Sequence, residues 1–152
     1  MLAVFGVLSA QATVYYVDSQ TGSDDSDGTS PGTAWKSLAR VNAQVFQASD
    51  EIRFKAGTRY IGQLKPQGSG RIEDGKVVPL VIDVYGKGPK PRIDGEGKVL
   101  DTLLLRNVEF WEVRGLEITN LGKTRQPWRT GVHVLADGSG TMRHIHLRDL
   151  FV

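Results

Sequence analysis

The segment Trp111–Ile118 reads WEVRGLEI, and 34 positions later Ile145–Val152 reads IHLRDLFV. Apolar residues occupy the first, third, sixth and eighth places of both segments. The fifth place holds Gly115 in one segment and Asp149 in the other, and both residue types tolerate the backbone angles of a sharp bend. Each segment therefore predicts two inward side chains, a bend, and two more inward side chains.

This pattern fits one coil of a β-helix, whose interior is filled by side chains from every face. Between the inward positions, the residues predicted to point outward are Glu112, Arg114, Glu117, His146 and Arg148. Further short apolar runs follow one another without a helical pattern between them. These runs are Glu51–Phe54, Tyr60–Lys65, Leu80–Tyr85, Arg92–Asp94, Leu103–Arg106 and Gly131–Leu135. Parallel strands without intervening helices indicate an all-β fold, a parallel β-helix.

The composition argues against several classes of protein, including nucleic-acid-binding, disordered and cysteine-dependent ones. The 152 residues carry 19 Lys and Arg against 17 Asp and Glu, and a net charge of +2 is too small for the basic face of a nucleic-acid-binding protein. Hydrophobic content of 39% argues against disorder, and the length suits one domain. The chain has no cysteine, which excludes a disulfide framework or a Cys-based zinc site within it. The 18 glycines and 6 prolines favour short strands joined by turns.

The first twelve residues, Met1–Ala12, read MLAVFGVLSAQA and carry no charge. An apolar run that ends in Ala10-Gln11-Ala12 is typical of a signal peptide with an A-x-A cleavage site, although the basic start is missing. The alternative is a buried N-terminal strand. The run is too short for a helix that spans a membrane, so no span is predicted. We therefore expect export from the cytoplasm after cleavage behind Ala12.

Residues 13–50 are predicted to form an N-terminal strand, a turn-rich loop and a helix that covers the first coil. The helix is expected over Thr33–Phe46, with Thr33 as its cap. Its apolar face, expected to seal the open end of the solenoid, consists of Trp35, Leu38 and Val45. Lys36 and Arg40 are expected to face water.

Residues 51–152 are then the first coils of the β-helix. Asn107 and Asn120 each follow an apolar run and suit left-handed corner positions. The chain stops within the apolar strand Leu150-Phe151-Val152, and an open apolar edge is an aggregation hazard. The sequence is accordingly expected to be a piece of a longer solenoid, truncated at its C-terminal end.

Several stretches together resemble a known superfamily. They are YYVDSQTGSDDSDGTSPGTAWKSL (Tyr15–Leu38), EIRFKAGTRYIGQL (Glu51–Leu64), VIDVYGKGPKPRIDG (Val81–Gly95) and VEFWEVRGLEITN (Val108–Asn120). The chain resembles the N-terminal part of secreted bacterial right-handed parallel β-helix proteins of the pectate-lyase-like superfamily. The resemblance implies a protein that is secreted, periplasmic or at the cell surface, monomeric at full length, with a polysaccharide as its partner.

The superfamily contains lyases, glycoside hydrolases, epimerases and non-catalytic adhesins, so the resemblance is specific for architecture and not for reaction. The main hypothesis is a polysaccharide lyase that acts on a uronate-containing polysaccharide; alternatives are a glycoside hydrolase and a glycan-binding adhesive protein. Catalytic groups of such enzymes usually lie on later coils, so this piece alone is expected to be inactive and no catalytic residue is assigned. No cofactor is evident, and Ca²⁺ is considered for the parent protein only.

The loop Gly122–Thr130, GKTRQPWRT, is the best candidate for binding. An exposed indole at Trp128 could stack on a sugar ring, and the guanidinium groups of Arg125 and Arg129 could pair with carboxylates. Alternatively, Trp128 packs back on the coil wall and the cations are merely solvated. His133 follows this loop between two inward valines and joins the candidate substrate-binding residues.

Three other clusters are weighed against structural roles. His144 and His146 share a strand face, which suits metal ligation, but no third ligand is evident from their spacing; two outward polar residues are the simpler interpretation. The run Asp24, Asp25, Asp27 lacks the spacing of a calcium loop and is interpreted as Asx turns. The pair Asp94 and Glu96 is interpreted as a turn and not as the carboxylates of a glycosidase.

Overall fold

The computed structural model describes residues 11–138 and 140–152, and in it the chain winds into stacked coils. Strands at the same place in successive coils pair in parallel. The first sheet contains, in spatial order, β1 (Val14–Val17), β2 (Glu51–Lys55), β6 (Leu80–Tyr85), β9 (Trp111–Arg114) and β12 (Ile145–Arg148). The second contains β3 (Arg59–Ile61), β7 (Arg92–Asp94) and β10 (Glu117–Thr119), and the third contains β8 (Asp101–Arg106) and β11 (Thr130–Leu135). The predicted parallel β-helix is confirmed.

The predicted register between the last two coils is also confirmed. Trp111 pairs with Ile145 and Arg114 with Arg148, each 34 positions apart. The corner residues Gly115 and Asp149 both have left-handed backbone angles, with φ of 77° and 51°. The bend inferred from the two segments is therefore a repeated corner of the solenoid.

The four apolar residues of Trp111–Ile118 fill the interior of their coil. Trp111, Val113, Leu116 and Ile118 are fully buried, and the polar residues between them are partly exposed. Full burial of one such side chain contributes about 1.5–3 kcal/mol. The matching residue Leu147 is 38% exposed, because β12 is the edge strand of its sheet, and Val152, beyond β12, is 67% exposed.

The N-terminal cover is formed differently from the sequence prediction. A short 3-10 helix, Pro31–Thr33, is capped by Ser30, and the α-helix α1 spans only Leu38–Ala43, with Ser37 as its cap. The Ser37 hydroxyl accepts the N–H of Arg40 at 3.2 Å, so Thr33 is not the cap of α1. The predicted cover residues Trp35 and Leu38 are buried as expected.

Two predictions for this segment were wrong: that Val45 points inward and that Arg40 faces water. Val45 is 54% exposed, and Phe46 is buried in its place. After α1 the backbone is extended, where neighbouring side chains alternate between faces, so the helical spacing that favoured Val45 no longer applies. Arg40 does not face only water, because its guanidinium lies 4.3 Å from the centre of the Trp35 ring.

The corner asparagines differ from each other. Asn107 has a φ of 54°, as predicted for a left-handed corner. Asn120 does not adopt left-handed backbone angles, so the predicted left-handed corner was wrong at this position. Asn120 instead stabilises its corner through its side-chain amide. The hairpin β4 (Arg71–Glu73) and β5 (Lys76–Val78), joined by Asp74-Gly75 with φ of 50° and 72°, was not predicted and protrudes between β3 and β6.

The proposed signal peptide falls mainly on residues 1–10, which lie outside the described residues. Just before β1, the Thr13 N–H donates a hydrogen bond to the Asp50 carboxylate at 3.0 Å. Within residues 11–138 and 140–152, no helix has the length and apolar content needed to cross a membrane.

Candidate functional site

A loop interrupts the solenoid between β10 and β11. In the preceding coil, β7 and β8 are joined by residues 95–100, whereas β10 and β11 are joined by residues 120–129. The connection is therefore four residues longer at the same corner of the next coil. The extra length makes the loop protrude, as the sequence predicted.

The base of this loop is fixed to the corner below it. The Asn120 amide donates to the backbone carbonyls of Val99 and Thr130 at 3.0 Å each, and its oxygen accepts the N–H of Gly97 at 3.0 Å. Arg129 Nε donates to the Gly97 carbonyl at 3.0 Å. Rigid anchoring of this kind lets a loop present its side chains without a large loss of entropy on binding.

Trp128 is presented to solvent by this loop. Its side chain is 86% exposed, so it does not pack back on the coil wall. Its φ of 61° lies in the left-handed region, which is unfavourable for a bulky residue. An indole held in this way offers an apolar face on which a sugar ring can stack.

Arg125 and Arg129 are brought together in one cleft. The cleft has a volume of about 280 Å³, and Gln126 and Gly97 also line it. Among the described residues that line it, none is acidic. The cleft can therefore donate hydrogen bonds to hydroxyl or carboxylate oxygens of a ligand. Trp128 and His133 do not line this cleft.

His133 belongs to a separate polar group on β11. Its Nδ1 lies 3.0 Å from Asp101 Oδ1, and the Thr130 hydroxyl donates to the same oxygen at 2.6 Å. The Asp101 residue is 9% exposed, whereas the His133 side chain is 40% exposed. The carboxylate thus orients an imidazole that remains accessible to a ligand. Sequence reasoning did not identify Asp101, which lies 32 positions before His133 on the neighbouring coil.

The structure also joins His144 and His146 with a third residue that was missed. Glu112 Oε1 lies 2.9 Å from His144 Nε2, and Glu112 pairs directly with His146 in the register of β9 and β12. The signal was present in the 34-residue repeat, because Glu112 and His146 occupy the same place in the two aligned segments. Spacing along the chain could not show it.

The acidic pair Asp94 and Glu96 has a structural role, as interpreted. Asp94 Oδ1 accepts the N–H of Glu96 at 2.8 Å, and Arg59 binds both carboxylates, at 2.7 and 3.0 Å. Burial opposes ionisation of Asp94, but hydrogen bonds from Glu96 N–H and Arg59 outweigh it and lower its pKa. The hydrogen bond from Lys98 chiefly lowers the pKa of Glu96. Neither carboxyl is thus suited to donate a proton near neutral pH.

Within the aspartate run, Asp27 forms the predicted Asx turn with Thr29, whereas Asp24 bonds to Lys36 and Ser37, which lie 12 and 13 positions further on. Asp24 accepts hydrogen bonds from the Lys36 and Ser37 N–H groups and from the Ser37 hydroxyl, at 2.6–2.9 Å. Asp27 accepts from Thr29 and Thr33. These donors order the approach to α1.

No protein-family model matches the chain. It is 27% identical to a lacto-N-biosidase of Bifidobacterium longum subsp. longum over 195 aligned positions, covering 95% of this chain and 12% of that protein. It also resembles two crystal structures of the GH136 lacto-N-biosidase from Eubacterium ramulus, the selenomethionine derivative and the native protein. Their TM-scores are both 0.78, and their identities are 28% and 27% over 91% of this chain.

The chain spans only 26% of the solved relatives and 12% of the curated one. The comparisons support the broader expectation, a carbohydrate-active protein on a parallel β-helix. They do not support the pectate-lyase-like superfamily in particular. The similarity is to enzymes whose names describe action on a glycan.

Proposed function

We propose that this chain forms β-helix coils of a glycoside hydrolase that acts on a glycan, with a lacto-N-bioside as the first substrate to test. The observation that carries the proposal is the 28% identity and TM-score of 0.78 with a lacto-N-biosidase over 91% of the chain. Identity and fold agree over nearly the whole chain, which is more than a shared architecture alone supplies.

The polysaccharide lyase that the sequence favoured is less well supported. Elimination requires a uronate carboxylate neutralised by a cation and a base that removes the adjacent proton. Arg125 and Arg129 could meet the first requirement, but the named relatives are biosidases. The glycoside hydrolase, an alternative from the sequence, therefore replaces the lyase as the main hypothesis.

The role of this chain within the hydrolase is proposed to be glycan binding. Trp128 supplies an exposed aromatic face, and Arg125 and Arg129 supply donors in an adjacent part of the same loop. His133, oriented by Asp101, offers a further polar contact on β11. No catalytic residue of the hydrolase is assigned to this chain.

Export from the cytoplasm of a bacterium is also proposed. The apolar run and the small residues Ala10-Gln11-Ala12 that end it support this proposal. N-terminal sequencing of the protein recovered from the culture medium or periplasm would begin at Thr13; an intact Met1 would overturn the proposal.

The activity is tested by incubating the full-length protein with an aryl lacto-N-bioside and, separately, with pectate and alginate. The proposal predicts release of the aryl alcohol and the intact disaccharide. Unsaturated uronate ends from the acidic polysaccharides would instead establish a lyase. Retention of glycans without cleavage of any substrate would establish a binding protein and overturn the hydrolase.

The role of the loop is tested with Trp128→Ala in the same protein. Loss of one stacking contact of about 0.5–1.5 kcal/mol is expected to raise KM about two- to twelvefold and leave kcat nearly unchanged. The matched control is Ile72→Ala on the β4–β5 hairpin, another exposed apolar side chain, which is expected to change neither constant. Equal constants for Trp128→Ala and the wild type would contradict a glycan-binding role for this indole.

A further inference from the structure

Glu112, His144 and His146 form a compact group of ligand-type side chains on the outer face of the first sheet. Glu112 lies on β9, His146 lies opposite it on β12, and His144 occupies the corner just before β12. One nitrogen or oxygen atom of each residue lies within 4.8 Å of the others. The two imidazole rings have centroids 3.9 Å apart, with their planes inclined by 34°.

We propose that these three residues bind a zinc ion. Two imidazole nitrogens and one carboxylate oxygen are a donor set that Zn²⁺ takes, with bonds of about 2.0–2.2 Å. Ca²⁺ prefers six or more oxygen ligands, so this donor set does not suit it. The inference does not rest on the proposed hydrolase function, because it concerns a different face of the solenoid from the β10–β11 loop.

The geometry requires only small side-chain rotations. Ligand atoms around a tetrahedral zinc ion lie about 3.3 Å apart, given bonds of about 2.05 Å. Glu112 Oε1 and His144 Nε2 are already 2.9 Å apart, and His146 is an exposed side chain with freedom to turn towards them. Three protein ligands leave a fourth position to water or to another ligand.

The surroundings hold two of the ligands in place. Arg148 binds the second carboxylate oxygen of Glu112 at 2.9 Å, which leaves Oε1 directed at the histidines. The Phe110 ring stacks near His144, with centroids 6.2 Å apart.

The left-handed corner at His144 belongs to the fold. His144 has a φ of 52°, and Phe110, 34 positions earlier at the same corner, has a φ of 60°. The repeated backbone geometry carries no ligand signal by itself. What indicates a ligand site is that this corner holds a histidine, His144, next to a second histidine, His146, whose register partner is the carboxylate Glu112.

The test measures zinc uptake by the full-length protein after chelator treatment and dialysis, using ZnCl₂ in equilibrium dialysis with metal analysis. The wild type is expected to hold one more zinc ion per chain than His146→Gln and His144→Gln. Each of these substitutions is expected to weaken binding at this site at least about tenfold. His133→Gln is the matched control, since it removes the remaining histidine of the chain and is expected to leave zinc uptake unchanged.

A second measurement separates metal ligation from a folding defect. Co²⁺ bound to the wild type is expected to show the visible absorption of a four-coordinate site, and His146→Gln is expected to lose it with an unchanged unfolding temperature. Equal zinc uptake by the wild type and His146→Gln would overturn the proposal. So would a loss of uptake in His133→Gln of the same size.

Discussion

Replacing Leu116 by alanine tests whether the coil interior is packed as described. Leu116 is fully buried directly after the Gly115 corner, and it lies between Pro91 of the coil below and Leu150 of the coil above. Substitution of a buried leucine by alanine costs about 3–5 kcal/mol, depending on how far the surroundings relax. Because Leu150 is only partly buried and can move towards the space, we expect about 3 kcal/mol, near the lower end.

The matched control is Leu121→Ala, the same substitution five positions later in the same coil. Leu121 is 83% exposed, so its loss is expected to change the free energy of unfolding by less than about 0.5 kcal/mol. Urea unfolding of the full-length variants, followed by circular dichroism, measures both. With m of about 2–3 kcal/mol/M, the Leu116→Ala midpoint is expected to fall by about 1–1.5 M. Similar small shifts for both variants would refute an interior position for Leu116.

Two further predictions concern Asp18, directly after β1, and the repeated corner at Gly115. Burial disfavours the charged form of Asp18, but hydrogen bonds from Lys55 and the other donors outweigh burial and lower the pKa of Asp18 to about 2. The ionised carboxylate therefore stabilises the fold by about 2 kcal/mol above the unfolded pKa near 4, and this stabilisation is lost as pH falls through 2. Acid unfolding of Asp18→Asn should accordingly be less steep over that pH range. Gly115→Ala should destabilise the protein by more than Gly75→Ala. Both positions have left-handed φ, but only a Cβ at Gly115 would lie 2.9 Å from Val84 Cγ2. Equal decreases in unfolding temperature for the two variants would count against the described corner.

The repeat carried most of the fold prediction. In the repeat, side chains alternate between inward and outward positions, and the alternation changes phase at a residue that tolerates a bend. Few architectures need this pattern, so aligning the two segments was enough to predict the register of β9 and β12. The N-terminal cover was predicted less well, because Ser37 and the extended backbone after α1 displaced the helix that spacing alone suggested. The β4–β5 hairpin was missed since its turn residues, Asp74-Gly75, lie in a stretch with weak apolar alternation.

Of the candidate sites, too, one part was predictable from the sequence and another was not. The β10–β11 loop could be predicted because it interrupts the repeat, and the exposure of Trp128 depends on loop conformation that composition does not give. The partners of the histidines could not be found by spacing along one strand. Asp101 and Glu112 meet His133 and His144 from neighbouring coils, and such contacts follow only once the register of the coils is known.

The most direct test of the stacked coils is a disulfide between register partners, since the chain has no cysteine of its own. Arg114 and Arg148 lie opposite each other on adjacent strands, about 4.8 Å apart, within the range that a disulfide spans. Arg114 and His146 share the same face but lie two residues out of register, about 8 Å apart. Peptide mapping of the oxidised full-length protein should find the disulfide in Arg114→Cys/Arg148→Cys and not in Arg114→Cys/His146→Cys. A disulfide in the second variant alone would contradict the 34-residue coil.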